Sequence, residues 1–204
     1  ARANMIDRLQ LTSQRLRIRQ FTSADLAACS DFRRRVFHLN EDQETTKRWL
    51  TWTIDSYREL AGLGQPPYAD YAVERRDTGE FVGEVGVVPT VVPWGALEGG
   101  ATDDLLSPEV GLFWGMLPEH RRLGYATEAA SALLGFLFGR LRLRRVVATT
   151  EHDNLASQQV MRRLGMRQRR NRLDTPSWCH VVGVLENKQT RADSQKTPSS
   201  GPRD

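Results

Sequence analysis

The alternation of apolar and polar positions is clearest in the middle of the chain, where it predicts strands and helices in turn. An apolar, β-prone run over residues 110–117 is followed by a short basic turn and by a strongly helical segment over residues 125–139. A second β-prone run covers residues 144–150, and a second helical segment covers residues 154–164. The sequence therefore predicts an α/β domain in which strand, turn, helix, strand and helix follow closely.

The flanking regions carry weaker versions of the same patterns. Five further strands are predicted, over residues 16–21, 68–74, 81–88, 166–173 and 178–185. Thr22 or Ser23 is predicted to cap a first helix, and a longer helix is predicted from about residue 44 to residue 60. Residues 89–108 fit no regular element and form a long predicted loop, for which a functional role and a mobile hairpin tip are both open.

The basic turn has the chemistry of an anion site. Arg121 and Arg122 precede Gly124 and Ala126 at the start of the predicted helix. The first turn of a helix leaves its N–H groups unpaired, and the helix dipole favours negative charge there. Gly124 and Ala126 add little side-chain bulk, so a phosphate can approach the backbone closely. The turn predicts a pyrophosphate site that is not a P-loop, because no Gly-Lys-Ser/Thr follows.

This turn resembles the acetyl-CoA loop of the GNAT N-acetyltransferases, whose pattern Q/R-x-x-G-x-G/A is filled by Arg121, Gly124 and Ala126. The opening RLRIRQFTSADLAA and the helix start Gly-Tyr-Ala-Thr-Glu-Ala are similar to the RimJ/RimL-like branch, which acetylates protein N-termini and other amines. The resemblance implies the GNAT fold: an α/β domain with a mixed, mostly antiparallel, twisted sheet of about seven strands. It also implies helices on both faces and central strands that splay apart.

The resemblance further implies acetyl-CoA as co-substrate and an amine as acceptor. In the family, pantetheine pairs with the edge of a splayed strand, and Arg122, or Arg162 and Arg163, are candidates for the 3′-phosphate. The cofactor-binding residues implied by the match are Met116, Leu117, Arg121, Arg122, Leu123, Gly124, Tyr125, Ala126, Thr127, Asn154 and Ser157. Asn154 also stands where a helix N-cap belongs, so a structural and a cofactor role are both open.

Candidates for proton transfer are less specific. Many GNAT enzymes place a tyrosine acid where this chain has Met161, which cannot donate a proton. Ser157 is the nearest substitute, with water as its rival. Glu109 and Glu84 are candidates for the base that takes the amine proton through water, if burial raises the pKa of either carboxyl. A surface carboxylate is the plainer interpretation of each.

The charge distribution leaves two other functions open. The net charge of the 204 residues is +4, but residues 140–172 hold ten arginines and two acids, so that the rest of the chain sums to −4. The basic region would suit a nucleic-acid-binding module, although it lacks interleaved aromatic residues. A catalytically weak acyl-CoA-binding sensor is the other alternative. The acids of residues 41–44 and 98–104 favour a cationic acceptor.

Composition and termini set the remaining expectations. Cys29 and Cys179 lie far apart in no metal-like spacing, which predicts a reduced, cytoplasmic protein without a metal. No apolar run is long enough to span a bilayer. The domain is predicted over residues 9–185, with an extension at residues 1–8 and a disordered tail at residues 186–204. The sequence does not determine the oligomeric state, and a homodimer is one possible assembly.

Overall fold

The computed structural model describes residues 9–100, 105–174 and 176–188, and these form an eight-stranded sheet with four α-helices. The helices are α1 (Leu26–Val36), α2 (Gln43–Gly62), α3 (Tyr125–Gly139) and α4 (Leu155–Arg163). The strands are β1 (Gln10–Thr12), β2 (Leu16–Gln20), β3 (Ala69–Arg75), β4 (Phe81–Val92), β5 (Ser107–Met116), β6 (Arg145–Thr150), β7 (Arg167–Arg170) and β8 (Val181–Glu186).

The sheet is mixed and mostly antiparallel, as expected, in the order β1-β2-β3-β4-β5-β6-β8-β7. Only the pairing of β5 with β6 is parallel, and it consists of the single pair Gly111–Val147. β4 and β5, in contrast, pair without interruption over ten positions. β5 and β6 therefore diverge toward their carboxyl ends. The strand beyond the seven expected is β1, three residues that pair with β2 and are too short for a clear sequence pattern.

Helices cover both faces of the sheet. On one face, α3 and α4 pack on the larger core through side chains such as Leu133, Leu137 and Met161, all fully buried. On the other face, α1 and α2 enclose a second cluster around Phe21, Cys29, Leu50 and Ala72. Because neighbouring residues of a strand point to opposite faces, β3 contributes Tyr71 and Val73 to the larger core and Ala72 to the second cluster.

The loop predicted over residues 89–108 is shorter in the structure. The β4–β5 hairpin continues through Pro89–Val110 as far as Val92–Ser107, so the strands claim both ends of that segment. The pairing of β3 with β4 ends at Val87, and a proline is tolerated where β4 has an open edge on that side. Of the acids expected in the loop, Asp103 and Asp104 lie outside the described residues.

The domain also extends further than residue 185. Glu186 ends β8, and Asn187 is buried and donates its backbone N–H to the carbonyl oxygen of Arg144. Those residues were wrongly assigned to a disordered tail; the rest of that tail from residue 189, and the extension at residues 1–8, lie outside the described residues. In the described part of the chain, no helix is both long and apolar enough to cross a membrane.

A cluster of charges holds β2 against β3. Arg17 and Arg19 donate to the two carboxylate oxygens of Glu74 at 2.9 and 2.7 Å, and Arg19 also pairs with Asp25 at the start of α1. Burial acts to raise the pKa of Glu74, but the hydrogen bonds from Arg19 and Arg17 outweigh it and hold that pKa below its usual value. Ionised Glu74 therefore stabilises the fold.

Replacing Glu74 with Gln should cost about 2 kcal/mol of unfolding free energy at pH 7, where the carboxylate is charged. A lowered pKa contributes stability above the unfolded value, about 4.3, and loses it as the pH falls through the folded pKa. Urea unfolding at pH 7 and pH 3.5 should thus show a difference in unfolding free energy between wild type and Glu74→Gln that is smaller at pH 3.5. Glu59→Gln, at an exposed pair with Arg58, is the control. A gap independent of pH would contradict this role.

Candidate active site

A groove of about 1320 Å³ opens where β5 and β6 diverge. Its walls are the carboxyl ends of these two strands, the start of α3, the start of α4 and the end of α1. One groove thus brings together the basic turn, the diverging strands and the helix α4, which are far apart in the sequence. Nine of the eleven predicted cofactor-binding residues line it: Met116, Arg121, Arg122, Gly124, Tyr125, Ala126, Thr127, Asn154 and Ser157.

The basic turn has the backbone shape of an anion-binding site, and residues 121–127 are called the cradle below. Gly124 is the N-cap of α3 and is left-handed, with φ at +85°, and Arg122 is left-handed too, with φ at +61°. This conformation turns the chain sharply into the helix, so that the N–H groups of the first turn of α3 face the groove. Thr127 adds a buried hydroxyl that has no hydrogen-bond partner in the described chain. The unpaired N–H groups, the positive end of the α3 dipole and the missing side chain of Gly124 therefore lie together at the start of α3.

The cradle is tied to the end of β5. Arg121 donates through Nε to the backbone oxygen of Met116 at 3.1 Å, which fixes the turn against the strand. Leu117 is buried, donates its N–H to the carbonyl oxygen of Val82 and does not line the groove. Of the strand pair expected to bind pantetheine, the structure therefore brings Met116 to the groove but not Leu117. Leu123, also expected to bind the cofactor, is not a lining residue.

Helix α4 presents polar groups across the groove from the cradle. Asn154 is its N-cap, and its side-chain oxygen accepts from the N–H of Ser157 at 3.1 Å. The capping role uses one oxygen, and both residues still line the groove. Met161 is fully buried and packs its sulfur against Gly183 in the core. The position of the usual tyrosine acid is thus part of the hydrophobic core.

Glu109 is not at the groove. Its carboxylate pairs with Arg145 and accepts from Nε1 of Trp94 at 2.9 Å, and the Arg145 guanidinium also stacks on the Trp94 ring. It lies near the start of β5, roughly 20 Å along the strand from Met116. The sequence offered Glu109 as a base, but the start of β5 is the end of the strand that lies away from the groove. Its contacts hold the loop end of the β4–β5 hairpin on β6.

Glu84 lies just behind the groove wall. It is fully buried opposite Gly115, which lines the groove, and neither of its carboxylate oxygens has a hydrogen-bond partner in the described residues. Burial, and then the negative charge of Asp70, raise the pKa of Glu84 well above its usual value, against a smaller opposing effect of Arg33. The pKa of Asp70, raised mainly by burial, is about 6. Burial and the neighbouring Asp70 thus both disfavour the ionised form of Glu84.

A clamp on the cradle was missed from the sequence. Arg15, in the turn between β1 and β2, donates to the Leu123 carbonyl oxygen at 3.1 Å and to Glu128 of α3 at 2.7 Å. Ser13 and the Arg15 N–H also donate to the Glu128 carboxylate, each at 2.7 Å, and the Arg15 guanidinium stacks over the ring of Tyr125. Arg15 and Glu128 both lie in the segments that carried the family resemblance, but one sequence cannot show that they pair.

The arginines of residues 140–172 do not form one free basic surface. Arg145 pairs with Glu109, Arg169 donates to the carbonyl oxygen of Glu98, and Arg172 donates to the carbonyl oxygens of Leu97 and its neighbours. Arg162 donates to Gln159, whereas Arg163 lines the groove. These three side chains thus hold the β4–β5 hairpin and its loop against β6 and β7, an internal use that a count of charges along the sequence does not show.

Comparisons with known proteins agree with this geometry. A protein-family model described as an acetyltransferase (GNAT) domain matches residues 15–167. Two similar proteins of Bacillus subtilis (strain 168) are named as uncharacterized N-acetyltransferases. YnaD is 40% identical over 60 residues, 29% of this chain and only 34% of that protein. YoaA is 26% identical over 193 residues, 88% of this chain and 98% of that protein.

Solved structures share the architecture. Mycobacterium smegmatis RimJ in complex with CoA-disulfide matches with a TM-score of 0.62 at 19% identity, over 89% of this chain and 88% of that one. At that identity the likeness shows the fold alone. With the fold and the groove established, the turn at Gly124 can be tested through Arg15, the side chain that holds it.

Replacing Arg15 with Ala should weaken acetyl-CoA binding about tenfold, because the cradle loses the side chain that holds Leu123 and Glu128. Isothermal titration calorimetry measures the Kd of the purified variants. Arg58→Ala removes an exposed arginine from α2 and is the matched control. Arg15→Lys keeps the charge but cannot bridge both partners, so it should fall between the two. An unchanged Kd in Arg15→Ala would remove the clamp from the account.

Proposed function

Because the chain belongs to the GNAT acetyltransferase domain family, we propose that it transfers the acetyl group of acetyl-CoA to a primary amine by direct attack. The observation that carries the proposal is the left-handed N-cap Gly124, which opens the start of α3 onto the groove between β5 and β6. A bond from nitrogen to the acetyl carbon forms as the carbon–sulfur bond breaks. The amine proton passes to a base, and the sulfur leaves as a thiolate.

The residues at the cradle fit the diphosphate of acetyl-CoA, which supplies the acetyl group as a thioester. A Cβ on Gly124 would lie 3.4 Å from the Arg15 guanidinium, and the φ of +85° is one that residues with a side chain rarely adopt. The N–H groups at the start of α3 and the helix dipole bind anions, and Arg122 adds a positive charge. Arg163, on the lining of the opposite wall, is the better candidate of the adjacent arginines for the 3′-phosphate, since Arg162 is held by Gln159.

Proximity does much of the chemical work. A groove that holds both substrates with the nitrogen near the thioester carbon lowers the barrier by about 7–11 kcal/mol in favourable cases. Met116 offers pantetheine a strand end, and Asn154 and Ser157 face the thioester from α4. The leaving thiolate has a pKa near 8.5, so protonation helps but is not essential. Ser157 or a water molecule supplies that proton, because Met161 cannot.

Glu84 is the preferred proton acceptor of the two predicted carboxylates. It borders the groove behind Gly115, whereas Glu109 is engaged with Arg145 and Trp94 far along β5. A carboxyl with a raised pKa is a stronger base once it is ionised. We assign it the amine proton through a bridging water. The ionised fraction of Glu84 grows as the pH rises through its raised pKa.

The sensor alternative is favoured by one observation, the burial of Met161 in the core. Such a protein would bind acetyl-CoA and release no CoA with any amine. The nucleic-acid-binding alternative loses support, because arginines of residues 140–172 are used within the fold.

Gly124→Glu should weaken acetyl-CoA binding by about a hundredfold, or about 2.8 kcal/mol, because it places a negative charge at the start of α3, where it repels the diphosphate. Calorimetry measures the Kd. Gly64→Glu is a matched control: Gly64 follows α2, is left-handed at φ +66° and has open space around it, so the added charge and strain are alike. Binding that survives in Gly124→Glu as in Gly64→Glu would refute the cradle.

Glu84→Gln and Glu109→Gln should separate chemistry from stability. Glu84→Gln should lower turnover at least about tenfold at saturating substrates and abolish the rise of turnover with pH that Glu84 produces. Glu109→Gln should leave turnover unchanged and destabilise the fold by about 3 kcal/mol, since Arg145 loses a buried partner. CoA release and urea unfolding are measured on both variants. Reduced turnover in Glu109→Gln at full stability would reverse the assignment.

A further inference from the structure

The groove has two sides, and only one is near the cradle. Trp114 and Met116 of β5 point toward the face covered by α3, where the diphosphate site lies. Phe113 and Gly115 point to the opposite face, since a Cβ at Gly115 would meet Phe32 and Val36 of α1. A cofactor held at the start of α3 therefore leaves the α1 side of the groove to the second substrate.

The α1 side is lined by apolar and aromatic groups in fixed positions. Val36, Phe37 and Phe113 line the groove there, and Phe37 is more than a third exposed. Buried Phe32 supports the Phe37 ring edge-on, with the ring centres 5.2 Å apart. The Phe113 ring lies directly over Gly86, where a Cβ would come within 2.2 Å of it. The exposed Phe37 ring and the half-buried Phe113 ring thus each rest on a buried residue, which sets their orientation.

Negative charge is scarce in this groove. Among the lining residues that the structure describes, Glu151 is the one acid, against Arg121, Arg122 and Arg163. Two of the acids expected to attract a cation, Glu41 and Asp42, are used elsewhere. Glu41 pairs with Arg33 at 2.9 Å, and Asp42 caps α2 by accepting from the N–H of Thr45. Glu98 does not line the groove. Within the described lining, an acceptor with several positive charges would meet one carboxylate, that of Glu151.

We propose that the acceptor is a primary monoamine whose nitrogen is attached close to an aromatic or branched aliphatic group. The apolar group packs between Phe37 and Phe113, and Glu151 attracts the single ammonium before it loses its proton. Polyamines and aminoglycosides are disfavoured, because each further ammonium would be desolvated without a partner. This inference rests on the proposed acetyl transfer. The same chemistry is offered by a free arylalkylamine and by a protein N-terminus that begins with an apolar residue.

The test measures CoA release by the full chain with saturating acetyl-CoA and four acceptors. These are 2-phenylethylamine, spermidine and two hexapeptides that differ only in beginning with Phe or with Asp. We expect kcat/KM to be at least about tenfold higher for 2-phenylethylamine than for spermidine, or for the Phe peptide than for the Asp peptide. The first contrast identifies a free amine and the second a protein N-terminus, and either supports the inference.

Two variants test whether Phe37 and Phe113 produce the preference for an apolar acceptor. Phe37→Ala and Phe113→Ala should each lower kcat/KM for the preferred acceptor about tenfold and leave the Kd of acetyl-CoA unchanged. Trp52→Ala, which truncates an exposed aromatic residue of α2, is the control and should change neither. A kcat/KM for spermidine equal to or above those for both 2-phenylethylamine and the Phe peptide would overturn the acceptor class alone. Acetyl-CoA binding without CoA release from any amine would overturn the acetyl transfer and this inference together.

Discussion

The separation of β5 from β6 is the constraint on which the rest of the structure depends. Beyond the single pair Gly111–Val147, no other residues of these two parallel strands pair in the sheet, although both strands continue for several residues. Unpaired strand ends need another partner, and here they border the groove. The same divergence lets one opening reach both faces of the sheet. A cofactor on the α3 side and an acceptor on the α1 side can then meet between the strands.

Much of the molecule outside the groove keeps that opening in place. Arg15 and Ser13 hold the start of α3 through Glu128, and Arg121 holds the turn on Met116. On the other side of the divergence, Glu109 joins β5 to β6 through Arg145 just before the strands part. These contacts are charged or partly buried hydrogen bonds, which are stronger than exposed ion pairs. Fixed donors around a groove favour binding of a charged ligand without large rearrangement.

The sequence predicted what depends on neighbouring residues. The strand-turn-helix around Gly124 is visible because its apolar pattern, its glycine and its arginines lie within a few positions of one another. Glu109 shows where such reasoning ends: strand alternation assigns a residue to a face, but not to an end of the sheet. Arg15 and Glu128 pair across 113 positions, and that contact exists only once the sheet has formed. The aromatic wall at Phe37 and Phe113 was invisible for the same reason, since α1 and β5 are joined only by the fold.

The most direct measurement of the central claim is a crystal structure of the chain with CoA bound. The account predicts diphosphate oxygens about 3 Å from the backbone nitrogens at the start of α3, with pantetheine running between β5 and β6 beside Met116. Arg15 should keep its contacts with Leu123 and Glu128 in that complex. A CoA molecule bound elsewhere, with the turn at Gly124 closed by its own side chains, would contradict the account.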